Sequence, residues 1–401
     1  MNPNSTTPAD LDVPVRDFNH HTDPAVRIDP LAAFDRFRDD RVFWTTELDG
    51  FWVLTRYEDI RAVLRDTETF SNQSTAIPPI DWSRRLIPVE LDPPDHGKYR
   101  TLLTRYLNGP SGAAIGRAVE QESARLVERL APAGRCDLVA DFARPLQNAL
   151  LTGLFDVPDG EGPDFAQLAG DLVQDSEPAR RGRAVRDILS FVEQAVTGES
   201  TGGRSGEGSS LVDFLAGAEV DGRPLNRDET LTMAFLMVMA SIETLTSSIS
   251  FTFRYLAEHP EHQRRLAAEP GVAAGAADEL LRLHSIVSIS RVVKRDTEVA
   301  GVQMRAGDRI LLCLSLADRD PDQYPEPATA DFDRANRTGH LAFGFGAHRC
   351  VGARIATVGL TAALRDWHAA IPEYSVPPGS VLVTGGGAAC SLQSLPLTWK
   401  A

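Results

Sequence analysis

Cys350 stands in a short segment, Phe343–Gly352, that also holds three glycines, a histidine and an arginine. Glycine allows the backbone to turn sharply and to approach a flat ligand closely. The apolar residues that follow predict a helix from Val351 to Ile371, whose first N–H groups and positive dipole end would lie beside the cysteine sulfur. Both effects favour the thiolate, which is the form of cysteine that binds metals. The segment therefore predicts Cys350 as a metal ligand.

Glu243 and Thr244 lie in the middle of the clearest helical pattern in the chain. Asn226, with Glu229 three residues later, is typical of a capping box, and the apolar run continues to about Leu256. This predicts one buried helix of roughly thirty residues. An acid and a hydroxyl inside an apolar helix are costly unless they have partners, which fits a proton relay. The alternative is a threonine bonded back to its own helix and a glutamate in a surface salt bridge.

Two further pairs of polar residues are spaced to share one helix face. Glu279 and Arg282 are three residues apart and can form an ion pair. His96 and Arg100 are four apart, so one face presents both to an anionic ligand. Such pairs are common on protein surfaces, where they contribute little. Each pair by itself therefore leaves an ordinary surface role open.

Segment Phe343–Gly352 resembles the cysteine-loop signature of the cytochrome P450 family, F-G-x-G-x-H-x-C-x-G, at every fixed position. Three other family patterns follow in the family's order: D-P-P-[E/D]-H-x-x-x-R at Asp92–Arg100, A-G-x-[D/E]-T at Ala240–Thr244 and E-x-x-R at Glu279–Arg282. The sequence departs from the second pattern at Ser241, where glycine is usual. The alternative is a glycine-rich turn with an incidental cysteine.

The resemblance implies haem b as the cofactor, with the Cys350 thiolate as axial ligand of the iron, and O2 as co-substrate. The haem-binding residues that it implies are His96, Arg100, Arg291, Phe343, Gly344, His348, Cys350 and Gly352. In the distal helix it makes Thr244 the residue that orders water beside O2 and Glu243 a source of protons. Ser241 would add a hydrogen-bonding group to the same pocket.

The fold class implied by the resemblance is mainly α with a minor β region (α+β). In this fold the haem is buried between the long central helix and the helix of the cysteine loop. A polar N-terminal segment, 1–28, would precede a single catalytic domain at 29–401. Glu279 and Arg282 would be a structural pair in that domain, with a further partner within Phe332–Arg337.

The resemblance also implies the residues that line the substrate pocket. They are mostly apolar, with a few polar groups that could orient a ligand: Ile77, Ile80, Ile87, Met237, Ala240, Val287, Ser288, Ile289 and Ser391. This set favours a compact, mostly apolar small molecule, terpenoid-like or a natural-product intermediate of secondary metabolism, that receives one oxygen atom. Desaturation, epoxidation or oxidative coupling at the same centre stays open, as does a haem-thiolate sensor or electron carrier.

Composition and the resemblance together bear on partners and location. The net charge of −15 disfavours nucleic acid as a partner. The polar N-terminus lacks the basic flank and apolar core of a signal peptide or membrane anchor, so we expect a soluble, cytoplasmic protein. The resemblance is closest to the bacterial type, which receives electrons from a separate ferredoxin or flavodoxin with its NAD(P)H reductase. Arg100, Arg349 and Arg354 would form the basic docking patch.

Overall fold

The structure is a computed structural model that describes residues 13–80, 84–157, 163–169, 178–197 and 210–400. About half of the chain, 51%, is helical and the sheets are small, which confirms the predicted mainly-α class with a minor β region. The chain forms two compact units, described separately below. Unit 1 comprises Met1–Gly97, Glu279–Cys350 and Thr384–Cys390, and unit 2 comprises Lys98–Asp278, Val351–Val383 and Ser391–Ala401. The single catalytic domain at 29–401 stays a prediction.

The described residues contain fourteen α-helices. In chain order they are α1 (Pro30–Asp35), α2 (Tyr57–Arg65), α3 (Asp95–Asn108), α4 (Pro110–Leu130), α5 (Arg144–Phe155), α6 (Phe165–Ala169), α7 (Pro178–Thr197), α8 (Leu211–Ala216), α9 (Arg227–Ser241), α10 (Thr244–Glu258), α11 (Pro260–Ala268), α12 (Ala273–Leu283), α13 (Leu314–Ala317) and α14 (Ala353–Ala370).

The strands are short, and fourteen lie within the described residues. They are β1 (Val42–Thr45), β2 (Phe51–Leu54), β3 (Phe70–Ser71), β4 (Arg135–Asp137), β5 (Glu219–Val220), β6 (Arg223–Pro224), β7 (Ser288–Val293), β8 (Thr297–Val299), β9 (Val302–Met304), β10 (Arg309–Cys313), β11 (Tyr374–Ser375), β12 (Thr384–Gly385), β13 (Ser391–Leu392) and β14 (Pro396–Trp399).

Unit 1 is built on a five-stranded sheet in the order β1-β2-β10-β7-β3. Strands β2 and β10 run parallel, and the other neighbours run antiparallel. The strands are rich in aromatic and branched residues, which pack well on a pleated surface. Trp44 lies opposite Trp52 in the register, with the two rings edge to face at 4.9 Å. The core of this unit also packs against Ile289 and Phe345, so the sheet supports the loop that carries Cys350.

Unit 2 is a bundle of helices in which α4 packs against α5 and α14. The close approach of these helices depends on Gly359 of α14. A Cβ at that position would lie 3.3 Å from Val119 and 3.4 Å from Leu245, tighter than most packed carbons. The buried Trp367 ring makes edge-to-face contacts with Phe142 and Phe253, at 5.3 and 5.2 Å. A small antiparallel sheet in the order β11-β14-β4 belongs to the same unit.

The prediction of one continuous helix from Asn226 to Leu256 is wrong at its centre. Helix α9 ends at Ser241 and α10 begins at Thr244, with Ile242 and Glu243 between them. The capping box at the start of α9 is present, with Asn226 and Glu229 each bonded to the other's backbone N–H. The apolar pattern of this segment carries no sign of the break. One of the side chains that satisfy the exposed carbonyls, Gln147, comes from another helix, α5, so the local sequence does not reveal it.

Two further expectations about chain segments can be compared with the structure. The described part of the polar N-terminal segment is packed into unit 1, where Phe18 and Val26 are fully buried. Residues 1–12 lie outside the described part of the chain. The stretch Arg227–Glu258 is long and apolar enough to cross a membrane, but 67% of its most apolar window is buried. Such burial is typical of a core helix.

Candidate active site

The Cys350 loop is a tight turn stabilised by backbone hydrogen bonds. The Cys350 N–H donates to the Phe343 carbonyl at 2.8 Å, and the Gly344 N–H donates to the Leu341 carbonyl at 2.6 Å. Gly344 and Gly346 have φ values of +67° and +72°, which side chains disfavour. A Cβ on Gly346 would lie 2.7 Å from the Leu64 carbonyl oxygen. Both glycines are therefore required by the turn that presents the cysteine.

Cys350 is the exposed cysteine among the four of the chain. Burial raises the pKa of Cys136 and of Cys390 to about 12, and it also raises the pKa of Cys313. Those three thiols are held in the protonated form, which does not ligate metal. Cys350 is therefore the best placed of the four to act as a thiolate ligand.

The helix after the cysteine begins later than predicted. Helix α14 starts at Ala353 with Gly352 as its N-cap, not at Val351. Cys350 therefore lies in the turn, three residues before the first helical residue.

Two of the predicted haem-binding histidines meet in unit 1. The rings of His96 and His348 lie 4.0 Å apart. The amide of Asn72 donates to Nδ1 of His348 at 3.3 Å, and the Asn72 N–H donates to Asp92 at 2.9 Å. Sequence reasoning missed Asn72, because the segment around it carries none of the recognised patterns.

Arg291 is a nearly fully buried cation in strand β7 of the same unit. Among the described residues, its side chain has one hydrogen bond, from Nη1 to the Ser290 carbonyl at 2.8 Å. Burial lowers the pKa of Arg291 to about 10, against the opposing charge of Asp92. That carboxylate already accepts bonds from Ser71, Asn72 and Lys294. Arg291 thus keeps donors for another anion.

These observations test whether the residues fit a haem. A haem-thiolate centre needs a cysteine thiolate donor, a surface that allows close approach of the haem and cationic partners for its two propionates. The exposed Cys350, the glycine turn and the under-paired Arg291 meet these needs within unit 1. The residues present therefore fit the group.

The remaining predicted haem residues lie as follows. Phe343 is half-buried, and its ring contacts the Arg349 guanidinium at 5.8 Å. Arg100 is half-buried in α3 and belongs to unit 2, as do Gly352 and the exposed Arg354.

In unit 2, Glu243 is a buried carboxylic acid at the break between α9 and α10. It is 4% exposed and forms no surface salt bridge, so that alternative is wrong for this residue. Its Oε1 accepts a bond from Ser247 at 3.0 Å, whereas Oε2 has no hydrogen-bond partner among the described residues. Burial raises the pKa of Glu243 to about 7, against the bond from Ser247 and the charge of Arg144.

The hydroxyl of Thr244, the first residue of α10, donates to the Ala240 carbonyl at 3.0 Å, so the threonine is bonded back across the break to α9. The i to i−4 spacing is the one that a threonine uses inside a continuous helix, and the bond uses the hydroxyl hydrogen. The oxygen lone pairs stay able to accept a bond from water. Ser241 is the last residue of α9 and is half-buried.

The predicted substrate-lining residues divide between the two units. Met237, Ala240 and Ser391 belong to unit 2, and the other six belong to unit 1. In unit 1, strand β7 lies beside residues 388–390, since the Ser288 N–H donates to the Ala388 carbonyl at 3.0 Å. Ile77 and Ser288 are buried, Ile87, Val287 and Ile289 are half-buried, and Ile80 is exposed.

Glu279 forms a buried ion-pair network in unit 1. Both of its carboxylate oxygens accept bonds from Arg282, at 2.8 and 2.9 Å. Arg334, within the segment expected to supply a partner, donates at 2.8 Å, and the Asp331 N–H donates at 3.0 Å. Burial opposes ionisation of Glu279, but the two arginines outweigh it and lower its pKa.

Sequence reasoning missed three residues around the acid–alcohol pair: Gln147, Thr246 and Ser247. Gln147 is a polar residue on the otherwise apolar buried face of α5. A single buried amide among leucines was the one available sign, and it does not say which helix the amide contacts.

Comparison with known proteins places the chain in a family. A sequence model of the family described as Cytochrome P450 matches residues 180–366. The Probable cytochrome P450 127A1 of Sinorhizobium fredii is 32% identical over 397 residues, covering 96% of this chain and 94% of that protein. The Vitamin D3 dihydroxylase of Streptomyces griseolus is 30% identical, with 87% of each chain covered. The crystal structure of Cytochrome P450 CYP101C1 matches with a TM-score of 0.88 at 29% identity, covering 99% of this chain and 100% of that one.

These matches extend along nearly the whole chain, in sequence and in fold. They confirm the cytochrome P450-like fold that the four motifs predicted. Members of this family use haem b and take O2 as co-substrate. With the residues above fitting that group, the chain belongs to the cytochrome P450 family and is a haem-dependent monooxygenase.

Proposed function

We propose that this P450 inserts one oxygen atom of O2 into a compact, mostly apolar small molecule, terpenoid-like or a natural-product intermediate, with electrons from a separate ferredoxin. When bound, the haem supplies the activation of O2 and the oxidising power for the reaction. The observation that carries the proposal is the contrast among the four cysteines. Cys350 is exposed in the turn that follows Gly344 and Gly346, whereas burial raises the pKa of the other three.

Unit 1 supplies the residues that hold the cofactor in this proposal. Cys350 ligates the iron, and Arg291, with His96 and His348, binds the propionates. A buried guanidinium with spare donors gains most from such an anion, because both charges are otherwise poorly solvated.

Glu243 and Thr244 form the proton relay in this proposal. A carboxylic acid with a pKa of about 7 can give up a proton and regain it near neutral pH. Its unbonded Oε2 is the atom that can take up and release that proton through water. Thr244 accepts a bond from the same water and so fixes its position.

The substrate class follows from the side chains assigned to the pocket. Ile77, Val287 and Ile289 offer apolar surface, which favours a ligand with few polar groups. Ser288 is the polar group of unit 1 that can orient one oxygen or amide on it. A relative named for the dihydroxylation of vitamin D3 provides a precedent for hydroxylation.

A separate ferredoxin is proposed as the electron donor, with flavodoxin as the alternative. Arg349 and Arg354 are exposed cations on an acidic chain, which suits docking of an acidic partner. A soluble, cytoplasmic location accords with the acidic composition and with the largely buried apolar helix.

The first test is the visible spectrum of the dithionite-reduced protein with carbon monoxide. We expect a strongly red-shifted Soret band in the wild type and in Cys136→Ala, and its loss in Cys350→Ala. Cys136→Ala is the matched control because it removes a thiol whose pKa burial raises to about 12. A thiolate-type band that survives in Cys350→Ala would overturn the ligand assignment.

The second test concerns the substrate and the electron donor. Compact apolar molecules are screened by the spin-state shift of the ferric protein, and hits are incubated with NADH, a ferredoxin reductase and either ferredoxin or flavodoxin. Product that contains one atom from labelled O2, formed with ferredoxin, supports the proposal. A thiolate spectrum without turnover in either system would favour a sensor or electron carrier instead.

A further inference from the structure

The break between α9 and α10 exposes backbone carbonyls inside unit 2. When a helix is interrupted, the carbonyls of its last turn lose their N–H partners and must be satisfied in another way. Two side chains meet this need directly. Thr244 donates to the Ala240 carbonyl at 3.0 Å, and the Gln147 amide of α5 donates to the Ile242 carbonyl.

Gln147 uses both its amide nitrogen and its amide oxygen at the break. Its Oε1 accepts a bond from the Thr246 hydroxyl at 2.6 Å, so the amide joins both sides of the break. Gln147 and Thr246 are 1% and 0% exposed. A buried amide is costly unless its donor and its acceptor are both bonded. On a helix face that otherwise buries leucine and phenylalanine, this placement indicates a specific contact.

The position of Glu243 depends on the shape of the break. Its φ of −140° differs by roughly 80° from the value of a regular helix. Closing the break into continuous helix would turn the carboxyl to another direction around the axis. The bond that Gln147 makes to Ile242, the residue before Glu243, stabilises the open form.

We propose that Gln147 is a positioning residue for the reaction: it holds the break between α9 and α10 open and thereby orients Glu243 and Thr244. The inference rests on the proposed role of that pair in proton delivery. Gln147 touches neither substrate nor cofactor in this proposal, and it acts through the backbone of Ile242.

The test uses the holoenzyme of Gln147→Met, which keeps the length of the side chain but has no amide. Loss of the buried bonds removes the support of the open break and favours its closure into continuous helix, so hydrogen–deuterium exchange of the amides at 243–248 should fall roughly tenfold. The fraction of NADH electrons that ends in hydrogen peroxide should rise as well. In the double variant with Thr244→Ala, that fraction should rise no further, because both changes disturb the same pair, Glu243 and Thr244.

Gln263→Met is the matched control. Gln263 is another fully buried glutamine, whose amide donates to the Leu256 carbonyl at 2.6 Å near the far end of α10. It should lower overall stability in a similar way but leave exchange at the break and the peroxide fraction unchanged. A purely structural role for Gln147 would make the two variants alike, and that result would overturn the proposal.

Thr246→Val covers the case in which Gln147→Met does not fold. It removes the donor to Gln147 Oε1 and should lower exchange at the break about threefold, with a smaller rise in peroxide. Wild-type exchange and peroxide in this variant would overturn the proposal. Failure of the proposed function is distinguished from these outcomes, because it would show as a missing thiolate spectrum in the wild-type protein.

Discussion

Glu279 in unit 1 and Glu243 in unit 2 are both buried carboxylic acids on helical segments, but their surroundings differ. Glu279 is 0% exposed and accepts bonds from Arg282, Arg334 and a backbone N–H, which lower its pKa. Glu243 is 4% exposed and accepts one bond, from Ser247, while burial raises its pKa to about 7. One acid is fully compensated and stays charged. The other is poised to exchange a proton.

The comparison teaches how a structural acid differs from a chemical one. A buried charge with complete partners is fixed, because changing its protonation state would leave the partners uncompensated. A buried acid with an unbonded oxygen changes protonation state at little expense near its pKa, which general acid–base chemistry needs. Removal of each carboxylate should therefore have opposite effects on stability.

The largest effect is expected for Glu279→Gln. The substitution leaves Arg282 and Arg334 as buried cations without a carboxylate, and breaking such a pair costs about 3–5 kcal/mol in the free energy of unfolding. Urea unfolding at pH 8 measures the loss. Glu298→Gln, which changes an exposed carboxylate bonded to Gln303, is the control and should unfold like the wild type. Wild-type stability of Glu279→Gln would contradict the structural role.

Glu243→Gln should stabilise the protein at alkaline pH. The folded pKa of about 7 lies above the unfolded value of 4.5, so the folded state binds the proton more tightly between these values. Stability contributed by the protonated acid is therefore lost as pH rises through this window, by about 3 kcal/mol in all. The variant lacks this loss, so its advantage over the wild type should grow from pH 5 to pH 8 in urea unfolding.

A suitable control for the pH dependence is Glu229→Gln. The pKa of Glu229 is lowered to about 2, first by its bond from Arg223, so this variant should be less stable than the wild type at pH 8. Burial also raises the pKa of Asp318 to about 7. This carboxyl titrates in the wild type and in both variants, so its contribution cancels when their free energies of unfolding are subtracted. A Glu243→Gln curve parallel to that of the wild type would mean that Glu243 is ionised throughout.

Ser247→Ala should sharpen the comparison by removing the one described hydrogen bond to Glu243. A bond to a charged group contributes about 1.5–3 kcal/mol, so the loss should be largest above pH 7, where the carboxylate is ionised. The bond from Ser247 lowers the pKa of Glu243, so its removal should raise that pKa. The pH at which half of the pH-dependent stability is lost should therefore move upward. Ser250→Ala removes a similar buried hydroxyl, whose bond among the described residues is to the Thr246 carbonyl, and it should lower stability equally at all pH values.

The smallest effect on stability is expected for Thr244→Ala, because its bond to Ala240 is worth about 1 kcal/mol. Its effect on chemistry should be larger: haem and substrate binding persist, while NADH electrons are diverted to hydrogen peroxide. Ser248→Ala, which removes a hydroxyl bonded back to the Thr244 carbonyl one turn later, is the control. Unchanged coupling of NADH to product in Thr244→Ala would argue against the relay.

The sequence was informative where function depends on residue types at short spacing. Glu279 and Arg282 share one helix face because they are three residues apart, and Phe343–Gly352 carries its turn in its glycines. The mainly-α class followed from the family resemblance that these motifs carry. For the second partner of Glu279, the sequence indicated the segment Phe332–Arg337 but not the residue. Arg334 lies in that segment, which is distant from Glu279 along the chain.

What the sequence did not predict depends on contacts between distant segments. The break at Ile242 is stabilised by Gln147, which lies 95 residues earlier, and apolar periodicity contains no information on such a bond. The unbonded Oε2 of Glu243 is likewise a property of packing. The start of α14 was placed two residues early, because glycine and valine before Ala353 do not mark the boundary.

The parallel pairing of β2 with β10 has a consequence for synthesis of the protein on the ribosome. Trp52 pairs with Ile310, so the sheet of unit 1 cannot be completed until about 250 further residues have been translated. At bacterial elongation rates this takes roughly 10 to 50 s. During that time the aromatic hairpin of β1 and β2 lacks its central neighbour and exposes Trp52 to other chains. Nascent chains that stop before Cys313 should therefore be clients of chaperones.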